Sequence, residues 1–157
     1  MTEEKLHRSI EILLVEDSPT DALLTREAFD HCPLNHHLHH VENGADALAY
    51  LRRENGYASR SRPDLILLDL NLPRKNGIEV LREIKNEAQL ASIPVVVLTT
   101  SQDEADIVTA YDLHANCYIT KPVEFDELVA VARAIGEFWF GVVTLPRNKK
   151  IVGSSNV

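Results

Sequence analysis

DLILLDLNLPRKNG, residues 64–77, decides how this chain folds. Leu65 to Leu68 is an unbroken apolar run, the pattern of a strand covered on both faces, as a parallel sheet requires. Asp69 stands where that run gives way to polar chain, and the loop closes on Asn76-Gly77. Beyond it Val80, Leu81 and Ile84 fall at helical spacing. A strand that carries an acid to its carboxyl end and then turns into a helix is one half of a βαβ unit.

The same pattern repeats on both sides. Ile10 to Val15 reads as a first strand, followed by Glu16-Asp17-Ser18. Pro19 suits the first turn of a helix with Ser18 as cap and Asp21 near its positive end. That helix runs to about His31, where Cys32-Pro33 stops it. HHLHHVENG predicts a short, polar second strand; Ala47, Leu48 and Leu51 mark a helix ending near Gly56, and GYASRSRP is a loop. Pro94 to Leu98 is a fourth strand, and Ser101 with Glu104 predicts a capping box opening the next helix. Cys117 to Thr120 is a fifth strand. Phe125, Leu128, Val129, Ala132 and Ile135 mark a last helix running towards Trp139. Five alternations of strand and helix predict a doubly wound α/β sheet with helices on both faces. One domain is expected over residues 10–145, between an N-terminal arm (1–9) and a flexible tail (146–157) without periodicity.

The totals narrow the function classes. A chain of 157 residues can bury a real core, and 45% hydrophobic with 25% charged residues is ordinary for a soluble protein. A net charge of −8 argues against general nucleic-acid binding and against charge-driven attachment to anionic lipid. There is no apolar run of membrane-spanning or signal-peptide length, so no membrane partner and a cytoplasmic location are expected. Cys32 and Cys117 are read as reduced, buried thiols.

In an open parallel sheet, ligands sit outside the carboxyl ends of the strands. The first strand delivers Glu16 and Asp17 there, the third Asp69, the fourth Thr99 and the fifth Lys121; the second delivers nothing. Two like charges about 4 Å apart cost on the order of 4 kcal/mol at an effective dielectric near 20. Three clustered carboxylates must therefore hold protons or recruit a cation. An all-oxygen donor set selects a hard ion, Mg²⁺ (or Mn²⁺), with Asn71 adding a backbone carbonyl and open positions left for a phosphoryl group. An aspartate can accept phosphoryl as an acyl phosphate, a transfer that needs mainly positioning and charge neutralisation. Asp69, on the middle strand, is the expected acceptor, with Lys121 and Thr99 holding phosphoryl oxygens.

LLVEDS (13–18), LLDLNLPRKNG (67–77), VVLTTS (96–101) and YITKP (118–122), in this order, resemble the response-regulator receiver domain of two-component signalling. The resemblance spans roughly Glu11 to Trp139. It implies a flavodoxin-like five-stranded sheet of order 2-1-3-4-5. It also implies Asp69 as phosphoacceptor, Glu16 and Asp17 as metal residues, Asn71 giving its carbonyl, Thr99 as switch hydroxyl, Lys121 as phosphate-binding lysine and Tyr118 as rotamer switch. A cis Lys121–Pro122 bond is implied as well. Glu16-Asp17 stands where the family often has Asp-Asp. ENGADALAYL, AYDLHANCYITKP and IGEFWFGVVTLP further resemble the single-domain response regulators partnered with phytochrome histidine kinases. That subgroup implies a homodimer through the fourth helix, fifth strand and fifth helix. Phe138, Trp139 and Phe140 in a row support an interface independently, since one helix face cannot bury all three.

Taken singly, each residue has a plainer reading: Asp69 as a loop cap, Glu16-Asp17 as helix-start chemistry, Thr99 and Lys121 as strand-end and turn residues. Their joint arrival at one edge favours the functional reading. His36, His37, His39 and His40 could attract zinc or nickel, but a strand sends alternate residues to opposite faces, so four cannot meet on one ion; a polar edge strand is expected. A haloacid-dehalogenase-like phosphatase fails because Asn71 stands where a second aspartate would act as general acid, and no P-loop is present. Fewer than twenty residues follow Trp139, so a DNA-binding unit is not expected. The expected function is a stand-alone, non-enzymatic response regulator accepting phosphoryl from a sensor histidine kinase. The alternative is a phosphorylation-independent docking or dimerisation module, or a phosphorelay shuttle, on the same fold.

Overall fold

A computed structural model describes residues 9–33 and 35–145. The predicted alternation is observed: β1 (Ile10–Val15), α1 (Pro19–Asp30), β2 (His36–Val41), α2 (Gly44–Arg52), β3 (Leu65–Leu68), α3 (Gly77–Asn86), β4 (Val95–Thr99), α4 (Glu104–Asp112), β5 (Cys117–Thr120) and α5 (Phe125–Gly136). The last helix continues as a π-helical turn, Glu137–Val142. The strands form one sheet in the order β2-β1-β3-β4-β5, every pair parallel. The arm before residue 9 and the tail from residue 146 lie outside the described residues.

Strand periodicity sorts the side chains into two cores. Leu13, Val15, Ile66, Leu68, Val95 and Val97 face α2, α3 and α4, where Leu48, Val80, Leu81, Ile84 and Ala110 meet them. Ile12, Leu14, Leu65, Leu67 and Val96 face α1 and α5, packing on Phe29, Leu128, Ala132 and Ile135. All four residues of β3 are fully buried, the physical meaning of the unbroken apolar run. Each such leucine or isoleucine contributes roughly 1.5–3 kcal/mol of transfer free energy.

Side chains cap α1 to α4, though at α4 not the one the sequence predicts, and α5 starts after Glu124 without a side-chain cap. Ser18 accepts from the Asp21 main-chain N–H at 3.2 Å and Asn43 from that of Asp46 at 2.8 Å. At α4 the predicted Ser101–Glu104 box is not formed. Asp103 is the cap, accepting from Ala105 N–H at 2.9 Å, while the Ser101 hydroxyl donates to Asp106 at 2.7 Å. Aspartate at the position immediately before the helix is among the best caps, and it displaces the more distant serine. The second helix also stops earlier than Gly56, at Arg52, because Arg53 takes the left-handed conformation (φ 59°). The described peptide bonds are all trans, so the expected cis Lys121–Pro122 bond is corrected; trans is the lower-energy state of an X–Pro bond by about 0.5–1 kcal/mol.

Candidate functional site

Three backbone hydrogen bonds align the strand ends that carry the acids. Asp69 N–H donates to the Val15 carbonyl at 3.0 Å, Glu16 N–H to that of Val41 at 3.0 Å, and Lys121 N–H to that of Thr99 at 2.6 Å. The sheet thereby delivers Glu16, Asp69, Thr99 and Lys121 to one edge, as their positions in sequence predict. Gly77 lets α3 begin directly against this edge: a β-carbon there would stand 2.4 Å from the Asp69 carbonyl oxygen and 2.5 Å from the Leu70 α-carbon.

Carboxylate oxygens of Glu16, Asp17 and Asp69 lie within 4.8 Å of one another. Glu16 and Asp69 are buried, whereas Asp17 is exposed at the mouth. Both oxygens of Asp69 are held. Oδ1 accepts from the Thr99 hydroxyl at 2.8 Å and the Asn71 main-chain N–H at 3.0 Å, and Oδ2 faces Lys121 Nζ at 3.3 Å. Lys121 Nζ also donates to Glu16 at 2.5 Å and to Asp21 at 3.2 Å. One ammonium thus stands among three carboxylates, with a fourth, Asp17, beside them.

Burial pushes the Glu16 carboxyl up to about 7, against the pull of the Lys121 ammonium and with the neighbouring charge of Asp69 adding to the rise. Burial alone would lower the Lys121 ammonium, but its hydrogen bond to Glu16 and the charges of Asp69, Glu16 and Asp21 outweigh it and hold the proton well above the ordinary value. The pocket is therefore short of positive charge when all its acids ionise, and every protein donor around the gap is oxygen. That donor set fits a hard divalent ion such as Mg²⁺ or Mn²⁺.

From Thr99 the contacts lead outwards. Ser101 N–H lies 3.4 Å from the Thr99 hydroxyl, and the Tyr118 hydroxyl donates to the Ser101 carbonyl at 3.0 Å. The Tyr118 N–H in turn donates to the Tyr111 hydroxyl on α4 at 3.1 Å. Tyr118 is half-buried against the core on the α4 side.

Sequence reasoning missed three participants. Asp21 seemed to serve only the helix end, yet its side chain reaches Lys121. β2 was read as silent, but the His40 ring lies 2.7 Å from the Glu16 carbonyl oxygen and braces the acidic loop. Tyr111 lies on α4, and its hydroxyl accepts from the Tyr118 N–H at the sheet edge. No local spacing signals any of these contacts, because each joins separate elements.

Comparisons with known proteins place this geometry. The model of the response regulator receiver domain matches residues 12–133. The response regulator Rcp1 of Synechocystis sp. is 47% identical over 135 residues, spanning 86% of this chain and 92% of that protein. The crystal structure of the phosphorylated cyanobacterial phytochrome response regulator RcpA superposes with a TM-score of 0.85 at 51% identity, covering 88% of this chain and 99% of that one. The Mn²⁺-bound form of Rcp1 superposes with a TM-score of 0.82 at 47% identity, covering 87% and 99%. Sheet order, acidic pocket and these matches agree: the chain belongs to the response regulator receiver domain family.

Proposed function

We propose that this receiver accepts a phosphoryl group on Asp69 from the phosphohistidine of a sensor histidine kinase of the phytochrome type, and that the modification switches a protein-binding surface. The observation that carries the reading is the setting of Asp69: a buried carboxylate held by Thr99, Asn71 and Lys121 beside two further acids. A carboxylate oxygen of Asp69 attacks phosphorus as the P–N bond to the donor imidazole breaks, leaving an acyl phosphate and a neutral histidine. Lys121 and Thr99 neutralise and orient the phosphoryl oxygens. A Mg²⁺ or Mn²⁺ ion held by Glu16, Asp17, Asp69 and the Asn71 carbonyl would supply the remaining positive charge.

The phytochrome assignment rests on the likeness to the phytochrome response regulator RcpA. A groove of about 110 Å³ beside Lys121, lined by Asp21, Leu24, Thr25, Pro122, Val123 and Phe125, suits a donor helix approaching the acceptor. Val123 at its rim is 96% exposed, an apolar side chain with nothing over it. The kinase's transmitter and this chain would meet in the cytoplasm; no helix among the described residues is long and apolar enough to cross a membrane. The chain acts as substrate and switch, with only slow self-phosphorylation and hydrolysis of its own.

Loss of Thr99 from Asp69 as phosphate binds it would move Ser101 and Tyr118, and with them the face of α4, β5 and α5. That face carries an apolar groove of about 200 Å³ lined by Cys117, Ile119, Val131, Ile135, Phe138 and Trp139, which suits a homodimer contact. Intact-mass spectrometry after incubation with a small acyl-phosphate donor tests the core of the reading. One Mg²⁺-dependent phosphoryl adduct is expected on wild type and none on Asp69→Asn, whose amide is nearly isosteric but a poor nucleophile. An adduct of equal yield on the variant would overturn the assignment of Asp69.

A further inference from the structure

β5 is the last strand of the sheet, so one side of it has no neighbouring strand. Main-chain groups along such an edge are ordinarily left to water. The Tyr118 N–H, at that edge, has a protein acceptor instead: it donates at 3.1 Å to the hydroxyl of Tyr111, a side chain of the last turn of α4. A second set of bonds ties the same residue to the other end of the helix. The Tyr118 hydroxyl donates to the Ser101 carbonyl at 3.0 Å, and the Ser101 hydroxyl donates at 2.7 Å to Asp106, in the first turn of α4. Tyr118 is fastened to the start of α4 through Ser101 and to its end through Tyr111.

These polar ties matter because packing holds α4 weakly. Of its nine residues Ala110 alone is buried, whereas α3 buries Val80, Leu81 and Ile84 fully. Val108 is 57% exposed and Tyr111 47%. A helix with so little buried apolar surface belongs to the parts of a fold that shift at low cost. Its position then depends on a few directed bonds, and Tyr111 supplies one from the last turn to β5. Burial does not fix the Tyr111 ring; the bond to Tyr118 aims its hydroxyl.

Resting on the reading of Asp69 as phosphoacceptor, we propose that Tyr111 is a positioning residue that couples β5 at Tyr118 to the last turn of α4. A change at Tyr118 then reaches both ends of the helix, where Ser101 by itself would pass it only to the first turn. The coupling is reciprocal: whatever fixes the last turn of α4 also fixes Tyr118. The response of the protein to phosphorylation thereby extends along the exposed face of α4 that carries Val108.

The test is ¹H–¹⁵N NMR of the full-length protein and of Tyr111→Phe, which keeps the ring and removes the oxygen. Before phosphorylation the Tyr118 amide of the variant should exchange with solvent about fivefold faster than in wild type, the worth of one net hydrogen bond, while the amides of β4 exchange as before. After incubation with acetyl phosphate and Mg²⁺, wild type should shift at Thr99, at Ser101 and at both ends of α4. The variant should form the same adduct by intact mass and shift at Thr99 and Ser101, with the response of residues 109–112 lost. Val108→Ala, which trims an exposed apolar side chain of the same helix, should match wild type in both measurements. Unchanged exchange at Tyr118, a last-turn response equal to wild type, or a loss shared by Val108→Ala would overturn the coupling while leaving the role of Asp69 standing. A wild type that takes up no phosphoryl would overturn the reading of Asp69 and the coupling with it.

Discussion

Among the residues, Lys121 and Glu16 carry opposite obligations. Without a metal ion the Lys121 ammonium is the counter-charge of the pocket, touching Glu16, Asp21 and Asp69. Lys121→Ala should still take up phosphoryl, more slowly, while failing to transmit the change to the Tyr118 face; phosphorylation rate and partner affinity, measured together, separate the two effects. Glu16 sets a pH dependence. Its carboxyl is raised from 4.5 to about 7 in the folded protein, so between those values the folded chain holds a proton that the unfolded chain has released. Its contribution to metal-free stability is therefore present at low pH and lost as pH rises through about 7. Ion binding needs the charged form and runs the other way. The rise in melting temperature caused by Mg²⁺ should be larger at pH 8 than at pH 6 by thermal scanning, and Glu16→Gln should flatten that difference.

At the scale of elements, helix starts are where local rules compete. α4 could be capped from Ser101 or from Asp103, and the structure chooses Asp103, leaving Ser101 to bind Asp106 and to receive the Tyr118 hydroxyl on its carbonyl. Asp103→Ala should cost about 1 kcal/mol in urea unfolding, the usual worth of a cap, and Glu104→Ala only a few tenths. The start of α4 is thus tied to Tyr118 by Ser101 rather than by its own cap. The strands were more legible than the helix ends. LILL at 65–68 admits few alternatives, since a run of four apolar residues flanked by turn signals must be covered on both faces. Arg53 ending α2 in a left-handed conformation had no such signature, because a long polar side chain there is unusual and follows from how the chain must turn towards Tyr57.

For the whole molecule, the aromatic run after α5 separates burial from display. The π-helical turn puts Phe140 into the core at 6% exposure and leaves Phe138 53% exposed beside Trp139. Together with the apolar groove over β5, this is the apolar surface that the proposed contact with a second copy would cover. Phe138→Asp should leave the chain folded and shift it to monomer in light scattering, whereas a wild type that is monomeric at every concentration would remove the dimer from the proposal.

The fold was determined by the sequence alone, because period-2 and period-3.6 apolar patterns are local and each strand end announces its polar residue. Glu16, Asp17, Asp69, Thr99 and Lys121 were legible for the same reason: parallel strands bring their carboxyl ends to one edge. Only the tertiary structure decided that Asp21 and His40 join that site, that Tyr118 is pinned between Ser101 and Tyr111, and that His37 and His39 share Glu11. Those contacts depend on strand register and on which helix crosses which strand end. Such relations arise between distant segments, and they leave no mark in the spacing along any one of them.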